Sequence, residues 1–229
     1  MKLAIVIPAY NEESVIGNVL ESIPKNIFGV DEIVIIVVDD GSTDTTYFRA
    51  KEKASHSIRH SINLGVGAAT ITGIEMAKKL GSHIVATMDA DGQHNPLDLP
   101  KLIKPITEGE ADIVIGSRMF NVQGMPPMKI IGNWIMNLVT LVVFHKWVTD
   151  SQSGMKAFSG NALKKMKLHS IGYEICSEII GDAKEKNLRL IEVPIETIYS
   201  EYSKFKGQNI LNAVNIFTRI LFFKVTGRK

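Results

Sequence analysis

The chain has 229 residues, and its 26 lysines and arginines against 24 aspartates and glutamates give a formal net charge of +2. This balance argues against a nucleic-acid-binding protein, which would normally carry a basic stripe, so we expect no nucleic-acid partner. A chain of this length buries roughly 70% of its unfolded surface and folds without covalent staples. Its single cysteine, Cys176, excludes an internal disulfide and a cysteine metal site.

The first half of the chain alternates strand-like runs with helix-like stretches. The strand-like runs are short, and they lie at residues 3–7, 33–38, 57–62, 84–88 and 112–116. The amphipathic stretches that follow the first four runs lie at residues 12–23, 44–54, 68–80 and 97–106. Continuous β-branched runs are typical of strands buried on both faces of a parallel sheet, and their alternation with helices indicates βαβ units. The sequence therefore predicts an α/β fold with a mostly parallel, doubly wound sheet flanked by helices.

A polar or glycine-rich cluster follows each of the five predicted strands. In chain order the clusters read PAYNEE, DDGSTD, NLGVG, DADGQH and GSR. One such cluster would be ordinary turn chemistry, because turns favour Asp, Gly, Ser and Asn. Five in succession are more than turns require, and in open α/β sheets ligands bind beyond the carboxyl ends of the strands. We therefore expect a ligand site along this edge of the sheet.

The cluster after the fourth strand has the composition of a metal site. Asp89 and Asp91 are one residue apart on a turn, so both carboxylates can face one point. Mg²⁺ prefers oxygen ligands and often bridges one or two carboxylates to substrate phosphates. Gln93 adds an amide oxygen, and His94 is a candidate further ligand. The loop is predicted to hold a divalent metal with a diphosphate; the alternative is an Asx turn whose acids face water.

The cluster after the second strand places Asp39 and Asp40 side by side. Carboxylates at this point can accept hydrogen bonds from a base N–H or a ribose hydroxyl, as acidic residues do in dinucleotide folds. Helix capping by Ser42 or Thr43 is the alternative, but it does not account for the two aspartates. After the third strand, GVGAAT lacks the third glycine of a dinucleotide fingerprint, because Thr70 stands there. This departure argues against an NAD(P)-dependent oxidoreductase and favours a turn whose backbone passes close to a ligand.

Six motifs together resemble those of a known enzyme family. PAYNEE, VVDDGSTD, NLGVGAA, DADGQH, GSR and DSQSG stand in the order found in family 2 glycosyltransferases with the GT-A fold, over about residues 1–200. The chain is most similar to the dolichyl-phosphate mannose synthase and polyprenyl-phosphate glycosyltransferase group. This resemblance implies a metal-dependent, inverting transfer of a hexose from a UDP- or GDP-linked sugar to a polyprenyl or dolichyl phosphate. It also implies Mg²⁺ or Mn²⁺ as cofactor and a peripheral position on the cytoplasmic face of a membrane.

Carried onto this sequence, the resemblance implies roles for individual residues. The nucleotide-sugar donor would be bound by Pro8, Tyr10, Glu12, Asp39, Asp40, Gly67 and Asp89. The metal would be bound by Asp89, Asp91 and Gln93. The acceptor phosphate would be bound by Arg118, Lys129, Ser203 and Lys204. The catalytic group would consist of Asp91, Arg118 and Asp150, with Ser153 and Gly154 shaping the loop around Asp150.

Asp150 matches an acid placed near the acceptor, which makes it a candidate base. A phosphate nucleophile is mostly dianionic at neutral pH, because its second pKa is about 6, and it hardly needs a base. Asp150 is therefore also expected to orient groups or tune charge. The sequence departs from the family pattern at Val66, where lysine is usual, and at Met155 and Lys156, where Phe-Arg is commoner. Lysine is a point charge where arginine is a fork, so phosphate contacts in this half can differ in geometry.

We expect three parts in the chain. Residues 1–125 form the nucleotide-sugar-binding half of a single GT-A domain, residues 126–208 the acceptor-binding half, and residues 209–229 an amphipathic membrane-interface helix. No stretch gives 18 clean apolar residues, so a transmembrane span is not predicted. The stretches at 130–148 and 209–225 are predicted as helices with a broad apolar face, a form typical of the membrane interface when aromatic and basic residues accompany it. Ordinary core-packed helices are the alternative.

Two further functions remain open. A transferase of the same fold could act on a saccharide or protein acceptor. A protein of another class, a non-catalytic membrane adaptor that binds nucleotide sugars, would not need Asp89, Asp91 and Asp150 together. The presence of all three acids favours an enzyme.

Overall fold

A seven-stranded sheet forms the centre of residues 1–198, the part of the chain that the computed structural model describes. The strands are β1 (Lys2–Ala9), β2 (Glu32–Asp39), β3 (His56–Arg59), β4 (Ile84–Thr87), β5 (Ile113–Ser117), β6 (Lys156–Ser159) and β7 (Leu190–Pro194). They lie in the order β3-β2-β1-β4-β6-β5-β7. Neighbouring strands are parallel except where β6 pairs with β4 and β5. The sheet is therefore mostly parallel, as the sequence predicts, with one reversed strand.

The described residues contain seven α-helices, and all but α5 pack against one of the two faces of this sheet. They are α1 (Ile16–Glu21), α2 (Thr46–Lys51), α3 (Val66–Lys79), α4 (Leu99–Thr107), α5 (Pro127–Phe144), α6 (Gly160–Lys165) and α7 (Ile175–Glu185). Buried side chains of α1, α2 and α4 share one apolar core with Leu3, Ile5 and Ile7 of β1. Buried side chains of α3, α6 and α7 share the other core with Ala4 and Val6. Because β1 faces a core on both sides, its sequence is apolar from Leu3 to Ala9.

The strand directions determine which residues meet at the candidate site. Ala9 at the end of β1 pairs with Asp39 of β2, and Asp39 pairs with Arg59 of β3. The carboxyl ends of β4 and β5 lie at the same edge because these strands run parallel to β1. Since β6 runs the opposite way, its beginning lies at this edge, and residues 150–155 join the site.

The structure confirms the α/β class and corrects several element limits. The third strand stops at Arg59, short of its predicted end, because the following residues turn to hydrogen-bond with Asp40. The helix predicted at 130–148 corresponds to α5, which ends where His145 adopts a left-handed φ of 53°. β6 and β7 were not predicted, and they place the second half of the chain in the same sheet as the first. The division into two halves stays a prediction, and the helix predicted at 209–225 lies outside the described residues.

Candidate active site at the strand ends

The turn after β4 presents two carboxylates. Gly92 has a φ of 73°, a left-handed conformation that glycine adopts readily, and the chain reverses there. Asp91 accepts hydrogen bonds from the backbone amide of Gln93, at 2.9 Å, and from its side-chain amide. The side chain of Asp89 is 39% exposed, so it remains accessible to a ligand.

Asp89 is held from two sides. The nearly fully buried His94 places Nε2 3.1 Å from one carboxylate oxygen of Asp89. On the other side lies Gly154, where a Cβ would overlap the carboxylate, so only glycine allows this approach. Burial opposes ionisation of Asp89, but the hydrogen bond to the imidazole and the charges of Arg118 and Lys156 outweigh it and lower its pKa below the usual value. Asp89 is therefore ionised at neutral pH.

The oxygens of this turn suit a divalent cation that is shared with a substrate. Within residues 1–198, no group of three or more His, Cys, Asp or Glu side chains forms a metal-binding cluster. Asp89 and Asp91 would hold a cation together with substrate oxygens, and Mg²⁺ is commonly bound by one or two carboxylates plus phosphates. Gln93 links Asp91 to Lys129, because its side-chain oxygen lies 3.2 Å from Lys129 Nζ. Metal ligation by Gln93 stays a prediction.

Arg118, directly after β5, and Asp150, shortly before β6, form a buried ion pair. The Nε atom of Arg118 lies 2.7 Å from one oxygen of Asp150, and a terminal guanidinium nitrogen lies 2.8 Å from the other. The backbone amide of Arg118 donates to the same carboxylate at 3.0 Å. Burial disfavours the charged form of Asp150, yet the charge and hydrogen bonds of Arg118 hold its pKa below the usual value. This geometry suits Asp150 to orienting the guanidinium, and its role as a base stays a prediction.

Two residues that the sequence analysis did not assign hold the loop around Asp150. Glu192 in β7 accepts hydrogen bonds from the amide and hydroxyl of Thr149, both at 2.8 Å, and from the amide of Asp150 at 3.2 Å. Asn137 in α5 accepts from the amide of Ser151 at 2.8 Å and donates to the carbonyl of Thr149. In the sequence, Glu192 could have been noticed as a glutamate inside an apolar strand, and Asn137 as an asparagine inside an apolar helix.

Lys129 and Arg118, both predicted to bind the acceptor phosphate, lie within electrostatic reach of each other. Burial lowers the pKa of Lys129, and the charge of Arg118 lowers it further, while Asp91 acts in the opposite direction. A phosphate dianion bound between the two cations would offset their repulsion, so the pair suits such a ligand. The other predicted phosphate ligands, Ser203 and Lys204, lie outside the described residues.

Lys156 is a buried cation, and in the sequence it stands out only as a departure from the family pattern. It begins β6 and donates a hydrogen bond to the carbonyl of Ser153. Its charge helps to lower the pKa values of both Asp89 and Asp150. Lys156 therefore interacts electrostatically both with Asp89, which follows β4, and with Asp150, which precedes β6.

The end of β2 forms a second part of the site. Asp39 is fully buried; its Oδ1 accepts from the amide of Ser42 at 3.4 Å. Its Oδ2 lies 3.1 Å from Arg59 Nε but has no partner of hydrogen-bond geometry among the described residues. Arg59 also lines a cavity of about 410 Å³, together with Gly41, Ser42, Thr43, His60 and Ser61. Because an unsatisfied buried oxygen is costly, a ligand N–H donor at this point would be favourable.

The residues after β1 lie at the same edge of the sheet. Pro8 is a buried residue of the strand, Tyr10 is 43% exposed and Glu12 is buried. The amide of Glu12 donates to the hydroxyl of Thr46 at 2.7 Å, which ties this turn to the start of α2. The side chain of Tyr10 is thus the most open of the three to a ligand. Their roles in donor binding stay predictions.

Two other predicted donor residues are engaged by the chain itself. Asp40 accepts from the amide of Gly65 at 2.8 Å and lies 2.7 Å from Nδ1 of His60, so it fixes the loop after β3. A Cβ at Gly67 would overlap the carbonyl of Ser170, so the glycine-rich turn approaches another part of the backbone. Loop fixing is the role that the geometry shows for both residues, and donor binding by them stays a prediction.

Comparisons with known proteins agree with this arrangement. The family model described as glycosyl transferase family 2 matches residues 4–166. A UDP-N-acetylglucosamine–dolichyl-phosphate N-acetylglucosaminyltransferase of Methanococcus voltae is 42% identical, with 96% of this chain and 95% of the relative covered. An undecaprenyl-phosphate mannosyltransferase of Micrococcus luteus is 29% identical, with 96% and 93% covered. A dolichol-phosphate mannosyltransferase of Pyrococcus furiosus is 31% identical, with 96% of this chain and 64% of the relative covered.

The fold recurs among solved structures. A crystal structure of glucosyl-3-phosphoglycerate synthase from Mycobacterium tuberculosis with phosphoglyceric acid has a TM-score of 0.74 at 20% identity, covering 99% of this chain and 79% of that chain. The same synthase with Mn²⁺, uridine diphosphate and glucosyl-3-phosphoglycerate has a TM-score of 0.70 at 20% identity, with the same coverage. At this level of identity the likeness shows a shared fold.

Proposed function

This chain belongs to glycosyl transferase family 2 and is a glycosyltransferase, and we propose that it transfers a hexose from a UDP- or GDP-linked sugar to a polyprenyl or dolichyl phosphate. The observation that carries the proposal is the contact between two candidate subsites: Gly154, on the loop that follows Asp150, lies against the carboxylate of Asp89. The donor diphosphate and the acceptor phosphate would thereby bind on either side of one short segment. The lipid phosphates in the names of the relatives support this acceptor over a saccharide or a protein.

On the proposed donor side, the cavity beside Arg59 holds the base. The Asp39 oxygen that is ion-paired with Arg59 but lacks a hydrogen bond accepts one from the base. Because β1 lies between β2 and β4 in the sheet, Tyr10 and Glu12 would lie between the base and the turn after β4. The diphosphate lies at Asp89 and Asp91, where Mg²⁺ or Mn²⁺ would neutralise the negative charge that develops on the leaving group.

On the proposed acceptor side, the guanidinium of Arg118 and the ammonium of Lys129 bind the lipid phosphate. A phosphate oxygen attacks the anomeric carbon as the bond from that carbon to the diphosphate oxygen breaks, so one in-line step inverts the configuration. The dianionic nucleophile needs no base, because it is already deprotonated at neutral pH, with a second pKa of about 6. Asp150 then serves to hold the guanidinium in place, which its two hydrogen bonds to the side chain of Arg118 support.

The outer face of α5 offers the proposed enzyme a surface for the membrane that carries such an acceptor. Its large apolar side chains are between 49% and 62% exposed, namely those of Met128, Ile131, Trp134, Ile135, Leu138 and Val142. The opposite face carries the buried Asn137 and is hydrogen-bonded to the loop around Asp150. A helix with a broad exposed apolar face and aromatic side chains is typical of the membrane interface.

A surface position for α5 fits its contacts better than a spanning one. By length and hydropathy, α5 is the one helix in residues 1–198 that could cross a membrane, although core helices of soluble proteins meet the same criterion. A span would separate its inner face from the loop that it holds. The proposal therefore places the protein peripherally, on the cytoplasmic face of a membrane, with Lys129 in the first turn of α5 close to the lipid phosphate.

The direct test is a transfer assay with the purified full chain. UDP-N-acetylglucosamine, UDP-glucose and GDP-mannose are each offered with Mn²⁺ or Mg²⁺ and with dolichyl phosphate in vesicles. We expect a labelled lipid product with one of these donors and its loss on chelation of the metal. Transfer to free saccharides but not to the lipid would support the saccharide alternative. Donor binding without turnover on any acceptor would support the non-catalytic adaptor.

A further inference from the structure

The loop that precedes α7 is fixed by two carboxylates. The amides of His169 and Ser170 donate to Glu178 at 2.8 and 2.9 Å. The amide of Gly172 donates to Glu174 at 3.1 Å. Both glutamates are buried, and hydrogen bonds from amides to an ionised acceptor are among the stronger ones. The loop is therefore held in one conformation by residues of its own half of the chain.

The start of α3, together with the glycine that precedes it, packs against this loop. Gly65 has a φ of 105°, and a Cβ there would overlap the carbonyl of Ile171. A Cβ at Gly67 would overlap the carbonyl of Ser170. The amide of Ala68 donates to the carbonyl of Ile171 at 3.1 Å. Glycine is required at both positions because the backbone of the loop approaches them closely. This contact places the loop at the same edge of the sheet as the candidate site.

On its other side the loop borders the candidate active site. The sulfur of Cys176 lies 3.9 Å from the carbonyl of Ser153, and the next residue, Gly154, lies against the carboxylate of Asp89. Tyr173 precedes this cysteine by three residues, and its carbonyl accepts a hydrogen bond from the amide of Cys176 at 3.1 Å. Its residue surface is 47% exposed, so the aromatic side chain is partly covered by the protein and partly open.

The surroundings of Tyr173 come from both turns of the donor side. Burial raises the pKa of its phenol, and the charges of Asp89, Asp91 and Glu12 raise it further. The phenol hydroxyl can donate a hydrogen bond to a ligand in this space. Because Glu12 follows β1 and the two aspartates follow β4, Tyr173 faces the space between those turns, where the proposed function puts the sugar and the diphosphate.

We propose that Tyr173 positions the donor by contacting its sugar and that it contributes to the choice of sugar. The hydroxyl donates to a sugar oxygen, and the ring packs against the apolar face of the pyranose. This role rests on the proposed function and extends it, because a residue from the second half of the chain completes the donor subsite.

Titration calorimetry with matched probes tests this role in the full chain. The probes are UDP against UDP-N-acetylglucosamine and GDP against GDP-mannose, each with Mn²⁺. Tyr173→Phe removes only the hydroxyl, and we expect about a 3- to 10-fold loss of affinity for the nucleotide sugar, the usual effect of one hydrogen bond. Tyr173→Ala also removes the ring and should lose more. Affinity for UDP or GDP alone should be unchanged, because these probes have no sugar.

Ile171→Ala is the matched control, since Ile171 lies on the same loop with 55% of its surface exposed. It should leave the affinities for both kinds of probe unchanged, and the melting temperature of each variant reports on its fold. Equal losses for the diphosphate and its sugar, or no loss in either variant of Tyr173, would overturn this role and leave the proposed function standing. A wild-type chain that binds none of the nucleotide sugars would overturn the proposed function, and this role with it.

Discussion

The donor and acceptor sides of the candidate site are assembled differently. On the donor side, a carboxylate such as Asp91 follows the end of a strand and is held by Gln93, its near neighbour in sequence. On the acceptor side, Asp150 is held by Arg118 and Glu192, which belong to different parts of the sheet. A carboxylate that is held by a sequence neighbour, as Asp91 is, can lose its charge with little effect on the fold. A side built from distant elements couples its chemistry to the stability of the protein.

Asp91→Asn should break the donor side alone, with the largest effect on catalysis. It removes a charge that faces the diphosphate, and losing a key electrostatic stabiliser typically costs about 100-fold or more in rate. We expect kcat at saturating Mn²⁺ to fall by this amount. The melting temperature should stay near that of the wild type, because Asp91 is only partly buried and the asparagine oxygen can still accept from Gln93. Turnover close to that of the wild type at saturating metal would show that the metal assignment is wrong.

Asp150→Asn should break the acceptor side and also destabilise the fold. Removing one partner of a buried ion pair costs about 3–5 kcal/mol, because the other charge is left without compensation. We expect the KM for the lipid acceptor to rise, the donor affinity to stay unchanged, and the melting temperature to fall by about 2–4 °C for each kcal/mol lost. The matched control is Asp112→Asn, which removes the partner of Arg189 at the other end of β5. It should lower the melting temperature without changing the acceptor KM; a change in KM as large as that of Asp150→Asn would contradict the assignment.

The same two aspartates predict how stability depends on pH. Hydrogen bonds from Arg189 lower the pKa of Asp112 to about 2, and the pKa of Asp150 is also lowered. Since unfolded aspartate has a pKa of about 3.9, both ion pairs stabilise the fold fully above that pH and lose this contribution as the pH falls towards the folded-state values. The wild-type melting temperature should therefore drop steeply between about pH 4 and pH 2. Each Asn variant should drop less steeply over this range, and a profile parallel to the wild type would contradict the prediction.

Asp39→Ala tests the part of the donor side that is farthest from the reacting carbon. The contact with the base should be present equally in the ground state and the transition state, so we expect a higher donor KM with kcat nearly unchanged. The loss should be about 10-fold, as for a hydrogen bond to a charged group. Asp31→Ala, an exposed change at the other end of β2, is the control. A large fall in kcat with an unchanged donor KM would move Asp39 into the catalytic group.

A charged outer face on α5 should have the smallest effect on the chemistry itself. Leu138→Glu combined with Val142→Glu places two acids on the exposed apolar face. We expect weaker flotation with anionic vesicles and a higher KM for the lipid acceptor, with unchanged donor affinity, because the apolar contact with the bilayer is lost. Phe28→Glu, at an almost fully exposed apolar residue outside α5, is the control. If the double variant floats as the wild type does, α5 does not lie on the membrane.

The difference between the two sides also determines what could be predicted from the sequence. Asp39 and Asp91 were identified because each stands at the end of an apolar run, where the local pattern and the chemistry of the side chain agree. Glu192, Asn137 and Tyr173 were not, because their partners are brought together only by packing between elements that are far apart in the chain.

The sheet shows the same limit. Continuous β-branched runs predicted the parallel strands, because such runs require burial on both faces. The sequence does not predict the reversed strand β6, because its four residues include Lys156, whose burial depends on the carbonyl of Ser153 and on the charges of Asp89 and Asp150 in the neighbouring loops. The direction of a strand depends on the path of the connections before and after it. A short stretch of sequence does not determine that path.

The reversal of β6 has a further consequence for how the molecule is divided. β5 and β6 follow each other in the chain and pair side by side, so residues 118–155 are, in topological terms, the connection of a β-hairpin. Arg118, α5 and Asp150 all belong to this one connection, whereas Asp39 and Asp91 precede it. The proposed acceptor side within residues 1–198 is therefore an insertion within a two-strand unit, and exchange of this one continuous segment is expected to change the acceptor specificity while the pairing of β1 with its neighbours is left as it is.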